Sequence, residues 1–174
     1  WALIESIRDG KATAVGMATG AVAGLVGITP AAGFVSPASG MLIGAVTSSL
    51  CYISVKVKVK LSFDDSLDTF AVHGVGGTVG AILTGFFAKA ELISSHPAGL
   101  VLAEQGRIGL VLGQFQAVLI AYGIAAFGTL IIALLLKSLG CNYRVEKAEE
   151  DAGLDISEHG EEAYVERTGS PNAI

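Results

Sequence analysis

Between Lys11 and Lys56 the chain runs for 44 residues without one acidic or basic side chain. As a single helix this stretch would extend about 66 Å, roughly twice the hydrocarbon core of a bilayer. It must therefore turn and cross twice. Pro30 and Pro37, with Gly33 and Ser36 between them, mark the turn, because proline ends helices and glycine and serine favour turns. The first span is expected at about 12–32 and the second at about 39–55. A third uncharged run, 69–88, follows a polar lead-in and sets a span at about 66–88. A connection with Glu91, His96, Pro97, Glu104 and Arg107 then leads to a fourth span at about 108–138. The reading is an all-α polytopic transmembrane helical bundle, in which 1–11 form a loop, 12–140 hold the four spans and 141–174 form a hydrophilic tail. Continuous apolar runs exclude a β-barrel, whose strands alternate.

Composition agrees with lipid as the main solvent. Hydrophobic side chains make up 52% of the chain, charged ones only 16% against about 25% in soluble domains, and the mean hydropathy is +0.63. The chain has 23 glycines, and many recur at four-residue spacing: Gly16, Gly20 and Gly24, then Gly40/Gly44, Gly76/Gly80 and Gly109/Gly113. Small residues one turn apart let helix backbones touch, so every span carries a potential packing seam. The Gly74–Gly80 segment does not fit the dinucleotide fingerprint and follows no strand.

The net charge of −5 is unevenly placed. From Cys141 onward nine Asp/Glu face three Lys/Arg, a balance of −6, which leaves +1 for everything before. No basic field suited to nucleic acid exists. Cys51 and Cys141 show neither a disulfide framework nor metal-ligand spacing and read as free thiols. The start at Trp1, without the regions of a signal peptide, is expected of a piece of a longer chain.

Four spans put both ends on one side of the membrane. Arg8, Lys11, Lys56, Lys58, Lys60, Lys137, Arg144 and Lys147 fall on that side, and only Lys89 and Arg107 fall opposite. By the positive-inside rule both ends are expected to be cytoplasmic.

His73 is the one acidic, basic or imidazole side chain within the interior of any span. Such residues are costly in a membrane and usually face a cavity or partner, which points to function. At 100° per residue, Ser66, Thr69, Gly76, Gly77, Gly80 and Thr84 share its face, while Val75, Val79, Ile82 and Phe86 lie opposite. A histidine that only packs at a helix contact is the plain alternative. Asp64, Asp65 and Asp68 precede this span, where carboxylates accept unpaired helix N–H groups, so a structural role is expected of them. His96 and His159 lie outside the spans, no HExxH, CxxC or GxSxG occurs, and a second intramembrane histidine for a haem is missing. No cofactor is expected, and the usual membrane-protease and zinc-enzyme signatures are missing.

The run DDSLDTFAVHGVGGTVGAILTGFFA, 64–88, is similar to the signature span of the Amt/Mep/Rh ammonium transporter family. GAVAGLVGITPAAGFV, 20–35, and the tail segment GLDISEHGEEAY, 153–164, resemble the bacterial Amt pattern in the same order. The resemblance covers essentially the whole chain and implies the last four of eleven spans, in a homotrimer of the plasma membrane with one hydrophobic pore per subunit. It implies that His73 is the second member of a histidine pair, with Thr29 and Thr69 on the substrate path and Asp65 and Asp68 at family acidic positions. The partner histidine, the phenylalanine gate and the outer ammonium site belong to earlier spans. The tail residues Gly153, Leu154, Asp155, His159, Gly160, Glu161 and Tyr164 match a regulatory segment, and PII-type signalling proteins are the implied regulatory partner. Ammonium or ammonia, the lipid bilayer and the N-terminal spans are the other implied partners. Two rival classes remain: a membrane-anchored subunit of a redox or proton-translocating enzyme with His73 as ligand or relay, and a non-transporting docking protein that anchors the acidic tail.

Overall fold

Two hydroxyl caps start the first long helices. Thr13 accepts from the Gly16 N–H at 2.9 Å and Ser36 from the Ser39 N–H at 3.3 Å, each satisfying a donor that the first helical turn leaves without an internal partner. The computed structural model describes residues 1–141 and 144–161. In it a short α1 (Ala2–Arg8) precedes α2 (Ala14–Ile28), which tightens into a 3₁₀ turn at Thr29–Ala31. Pro30 lacks an N–H and closes the helix there. The chain continues through α3 (Pro37–Lys60), a π-helical turn (Phe70–Gly74), α4 (Val75–Phe87), α5 (Ala90–Ile93), α6 (Pro97–Ser138), α7 (Lys147–Ala152) and a second π turn at Asp155–His159. The described residues contain no strand. Four segments are long and apolar enough to cross a bilayer: Ala14–Ala31, Pro37–Lys60, Phe70–Phe87 and Pro97–Ser138.

The second span runs on to Lys60, beyond the expected end at about 55, and the two starts that depart most from expectation do so for local reasons. The third helical segment starts beyond Ser66, because Asp68 takes a left-handed φ of 56° that no helix continues through. The fourth helix starts at Pro97, where a missing N–H is harmless in a first turn, and Gly106 interrupts it at φ 68°, ψ −167°. Only glycine takes that backbone region readily.

The residues divide into two units, Trp1–Gly123 and Ile124–Ile174. Within the first, glycine sets how closely α2, α3 and α4 approach. A Cβ on Gly24 would lie 3.8 Å from the Gly44 carbonyl oxygen, while a Cβ on Gly80 would collide with the carbonyl oxygen of Gly27. Ser48 Oγ donates to Gly20 O at 3.2 Å across the α2–α3 contact. Ala23, Cys51 and Val72 form one buried cluster with Trp1 and Val26 against it; Ala88, Ile93 and Leu110 form another near Phe34. The Arg107 guanidinium donates to the carbonyls of Gly85 and Ala88 at the end of α4, a favourable place for a cation. The Lys89 N–H donates to Phe34 O at 2.9 Å.

Two carboxylates tie α1 to the spans. Glu5 accepts from Trp1 Nε1 at 3.2 Å and from the Thr13 N–H at 2.9 Å, and the Thr13 bond holds it below the usual carboxylate range. Asp9 accepts from Lys56 Nζ at 3.3 Å and Tyr52 OH at 3.1 Å, and is lowered by those same bonds.

The Gly109/Gly113 pair makes no helix contact of the expected kind among the described residues. Gly113 has nothing near its missing Cβ, and Gly109 faces only Gln105 of its own helix. None of the most apolar stretch of α6 is buried, and Leu112, Phe115 and Leu119 are exposed. An apolar face of this extent needs lipid or further protein against it.

In the second unit, Arg144 pairs with Glu150 at 3.0 Å. A reciprocal capping box between Glu146 and Glu149 starts α7.

Candidate functional site

Asp65 organises the start of the third span. Its carboxylate accepts from the backbone N–H groups of Thr69 at 2.8 Å, Phe70 at 3.0 Å and Ala71 at 3.4 Å. Three of the orphan donors of a first helical turn are thereby satisfied by one anion at the positive end of the helix dipole. Asp68 pairs with Lys58 of α3, whose ammonium also donates to the Asp65 carbonyl. Asp64 makes an interaction of its own. The three acids thus have structural partners or contacts where the sequence places them.

The helix that follows opens with a π turn, in which the Val75 N–H reaches back to Phe70 O. Isolated π turns insert one extra residue into a helix and concentrate at functional sites. His73 sits inside this turn and is exposed. Its imidazole has no hydrogen-bond partner among the described residues. The carbonyls on either side of it are held: Cys51 Sγ of α3 donates to Val72 O at 3.6 Å, and Gly74 O accepts from Thr78 Oγ1 at 2.7 Å. The Tyr122 hydroxyl of α6 lies 3.2 Å from the same Gly74 oxygen and 2.7 Å from Thr78 Oγ1. Gly77 on the next turn has open space beside it.

Thr69 is exposed just before the π turn, with its N–H bound to Asp65. The extra residue of that turn alters the regular 100° projection, and Ser66 lies off the helix altogether. Thr29 is exposed at the other end of its span, with its hydroxyl donating to Leu25 O at 2.7 Å. Gly27 meets Gly80, which is seven residues or about 10 Å beyond His73, and Thr29 lies further in that direction. The structure therefore places His73 and Thr69 near one end of the bundle and Thr29 toward the other. His96 lies against Phe34, with ring centres 5.5 Å apart and the planes tilted by 58°.

In the tail, Leu154 leads into the π turn that carries Asp155 and His159, and Gly160 closes it at φ 71°. Gly153 ends α7 at φ 97°, and the Glu161 N–H donates to Asp155 O at 3.1 Å. Tyr164 lies outside the described residues. Among the described residues no three His, Cys, Asp or Glu side chains converge as a metal site would require.

Tyr122 was not singled out by sequence reasoning, and Cys51 was read there only as a free thiol. A hydroxyl within an apolar helix needs a partner in lipid, and that is the signal Tyr122 offers. Which carbonyl it meets depends on the register between two helices 44 residues apart in sequence.

Residues 1–164 match the model of the Ammonium Transporter Family. An ammonium transporter of Bacillus subtilis is 41% identical over 165 residues, covering 94% of this chain and 40% of that protein. One of Aquifex aeolicus is 44% identical over 165 residues, covering 94% and 37%. The crystal structure of Saccharomyces cerevisiae Mep2 superposes with a TM-score of 0.67 at 36% identity, over 97% of this chain and 38% of the other. The chain spans only 37% to 40% of the length of these curated relatives.

Proposed function

The chain belongs to the ammonium transporter family, and we propose that, together with further spans, it forms a hydrophobic path for ammonium or ammonia with His73 on its wall. Membership and the four apolar helices make it a multi-pass membrane protein. One observation carries the transport reading: an imidazole without a partner among the described residues, on an exposed face of an apolar span, near a glycine with open space. An ionisable group left in this state demands a covering surface and a cavity rather than lipid.

The chemistry follows from solvation. Moving a bare ammonium ion through an apolar path costs several kcal/mol even after relaxation, whereas neutral ammonia meets little penalty. Deprotonation near the mouth removes the barrier. A neutral imidazole donates from one nitrogen and accepts at the other, so His73 and a second histidine on the missing spans hold a chain of proton donors and acceptors through the dry stretch. The exposed apolar faces of α6 support packing against those spans and against two further copies in a homotrimer.

Both chain ends and the Lys56–Lys60 segment face the cytoplasm in this reading, in a plasma membrane. The support is the Lys/Arg count in the sequence. Cysteines placed one at a time at positions 58 and 98 of the full-length protein are expected to label from outside whole cells only at 98. Rapid labelling at 58 alone would reverse the orientation.

The tail is a regulatory element, bound by a PII-type protein. Its support is the matching segment 153–164 and the ordered Gly153–Glu161 turn, which a simple solvated spacer does not require. The test is ammonium uptake into proteoliposomes holding the full-length protein, with and without a PII-type protein, before and after deletion of 153–164. Uptake above empty vesicles, inhibited only while the segment is present, is expected. Absence of uptake would remove the transport reading, and inhibition unchanged by the deletion would remove the regulatory one.

A further inference from the structure

The two peptide carbonyls that flank His73 are each held by a side chain from another helix. On the Val72 side the donor is a thiol at 3.6 Å, a weak bond. On the Gly74 side two hydroxyls, of Thr78 and Tyr122, share one carbonyl oxygen. Their mutual distance of 2.7 Å makes them a connected pair, so whichever of the two protons points to the other hydroxyl, the remaining one is left for Gly74. No water competes for these groups in an apolar span, and without the Tyr122 hydroxyl Gly74 O would keep Thr78 as its donor but lose its tie to α6.

From this geometry we infer that Tyr122 is a positioning residue for His73, which anchors the C-terminal edge of the turn that carries the imidazole to α6. The π turn ends at Gly74, one residue beyond His73, and Gly74 also caps α4, so the Tyr122 bond falls on the residue that joins the imidazole-bearing turn to the rest of the helix. The Tyr122 hydroxyl comes from α6, so it couples the His73 turn to the last span rather than to its own helix. Thr78 alone cannot do this, because it donates to a carbonyl four residues back along its own helix and so fixes nothing relative to α6.

The inference rests on the reading that His73 lines the transport path, and its test separates the two. In the full-length transporter in proteoliposomes, Tyr122→Phe removes one hydroxyl and keeps the ring. Ammonium uptake is expected to fall about three- to ten-fold, the effect of one hydrogen bond on the placement of the imidazole, with a changed pH profile and unaltered melting. Thr78→Ser keeps the hydroxyl and should stay within about two-fold of wild type. The ¹⁵N imidazole spectrum of His73 reports position independently of transport, and Tyr122→Phe should shift it. An unchanged His73 spectrum and pH profile in Tyr122→Phe would overturn the inference, as would a fall in uptake accompanied only by earlier melting. If the spectrum shifts while His73→Ala transports as wild type, positioning stands and it is the transport role of His73 that fails.

Discussion

Replacing Gly80 by valine is expected to destabilise the full-length protein by about 3 kcal/mol or more, at the upper end of what overpacking costs. The reason is the identity of the obstructing atom. A Cβ at this position would meet the carbonyl oxygen of Gly27 in the backbone of α2, and a backbone atom has no rotamer into which it can retreat. The helices must separate, and the neighbouring contact of Gly76 with Cys51 and Val26 loosens with them. Gly24→Ala is the matched control, because its Cβ would lie 3.8 Å from Gly44 O, ordinary van der Waals contact. Alanine also favours helix over glycine by up to about 1 kcal/mol, so Gly24→Ala should melt within a few degrees of wild type. Thermal melting of the detergent-solubilised protein and its yield in membranes measure both. Equal melting for wild type and Gly80→Val would mean that α2 and α4 do not meet at this point.

This contrast shows what glycine spacing conveys. The stripe Gly16, Gly20 and Gly24 predicts a close helix contact, and Gly24 does approach Gly44; yet Gly16 lies under the Glu5 carboxylate and Gly20 under Trp1. The tightest crossing uses Gly27, which is outside the stripe. Spacing identifies a face, and the partner on that face is set by a register that local sequence does not encode. The four spans were legible because a bilayer imposes length and apolarity on each one separately. The π turn at Phe70–Gly74 was not, since the local residue pattern carries no mark of an inserted residue, and the side chains that meet its carbonyls, Cys51 and Tyr122, come from other helices. His73 was legible for a third reason: an ionisable group in an apolar run is anomalous wherever its helix packs.

His73→Ala is expected to leave assembly and melting intact while lowering ammonium uptake by about ten-fold or more, the effect of losing one hydrogen-bonding group from an otherwise apolar path. A histidine that serves packing would behave in the opposite way. Its removal would strand a buried partner and cost about 1–3 kcal/mol of stability, but the His73 imidazole is exposed and has no partner among the described residues. His73→Glu carries more information than His73→Ala. A carboxylate keeps a titratable group on the same turn, but it attracts a cation where the neutral imidazole offers a donor and an acceptor to an uncharged molecule. The glutamate variant should therefore conduct a charged species and lose discrimination between ammonium and potassium. Position 73 is exposed in this chain, and glutamate is no bulkier than histidine, so the substitution tests charge rather than bulk. Current and uptake across a pH series, with melting on the same samples, distinguish the cases. Wild-type rate and selectivity in both variants, together with early melting, would make His73 a packing residue and remove it from the transport path.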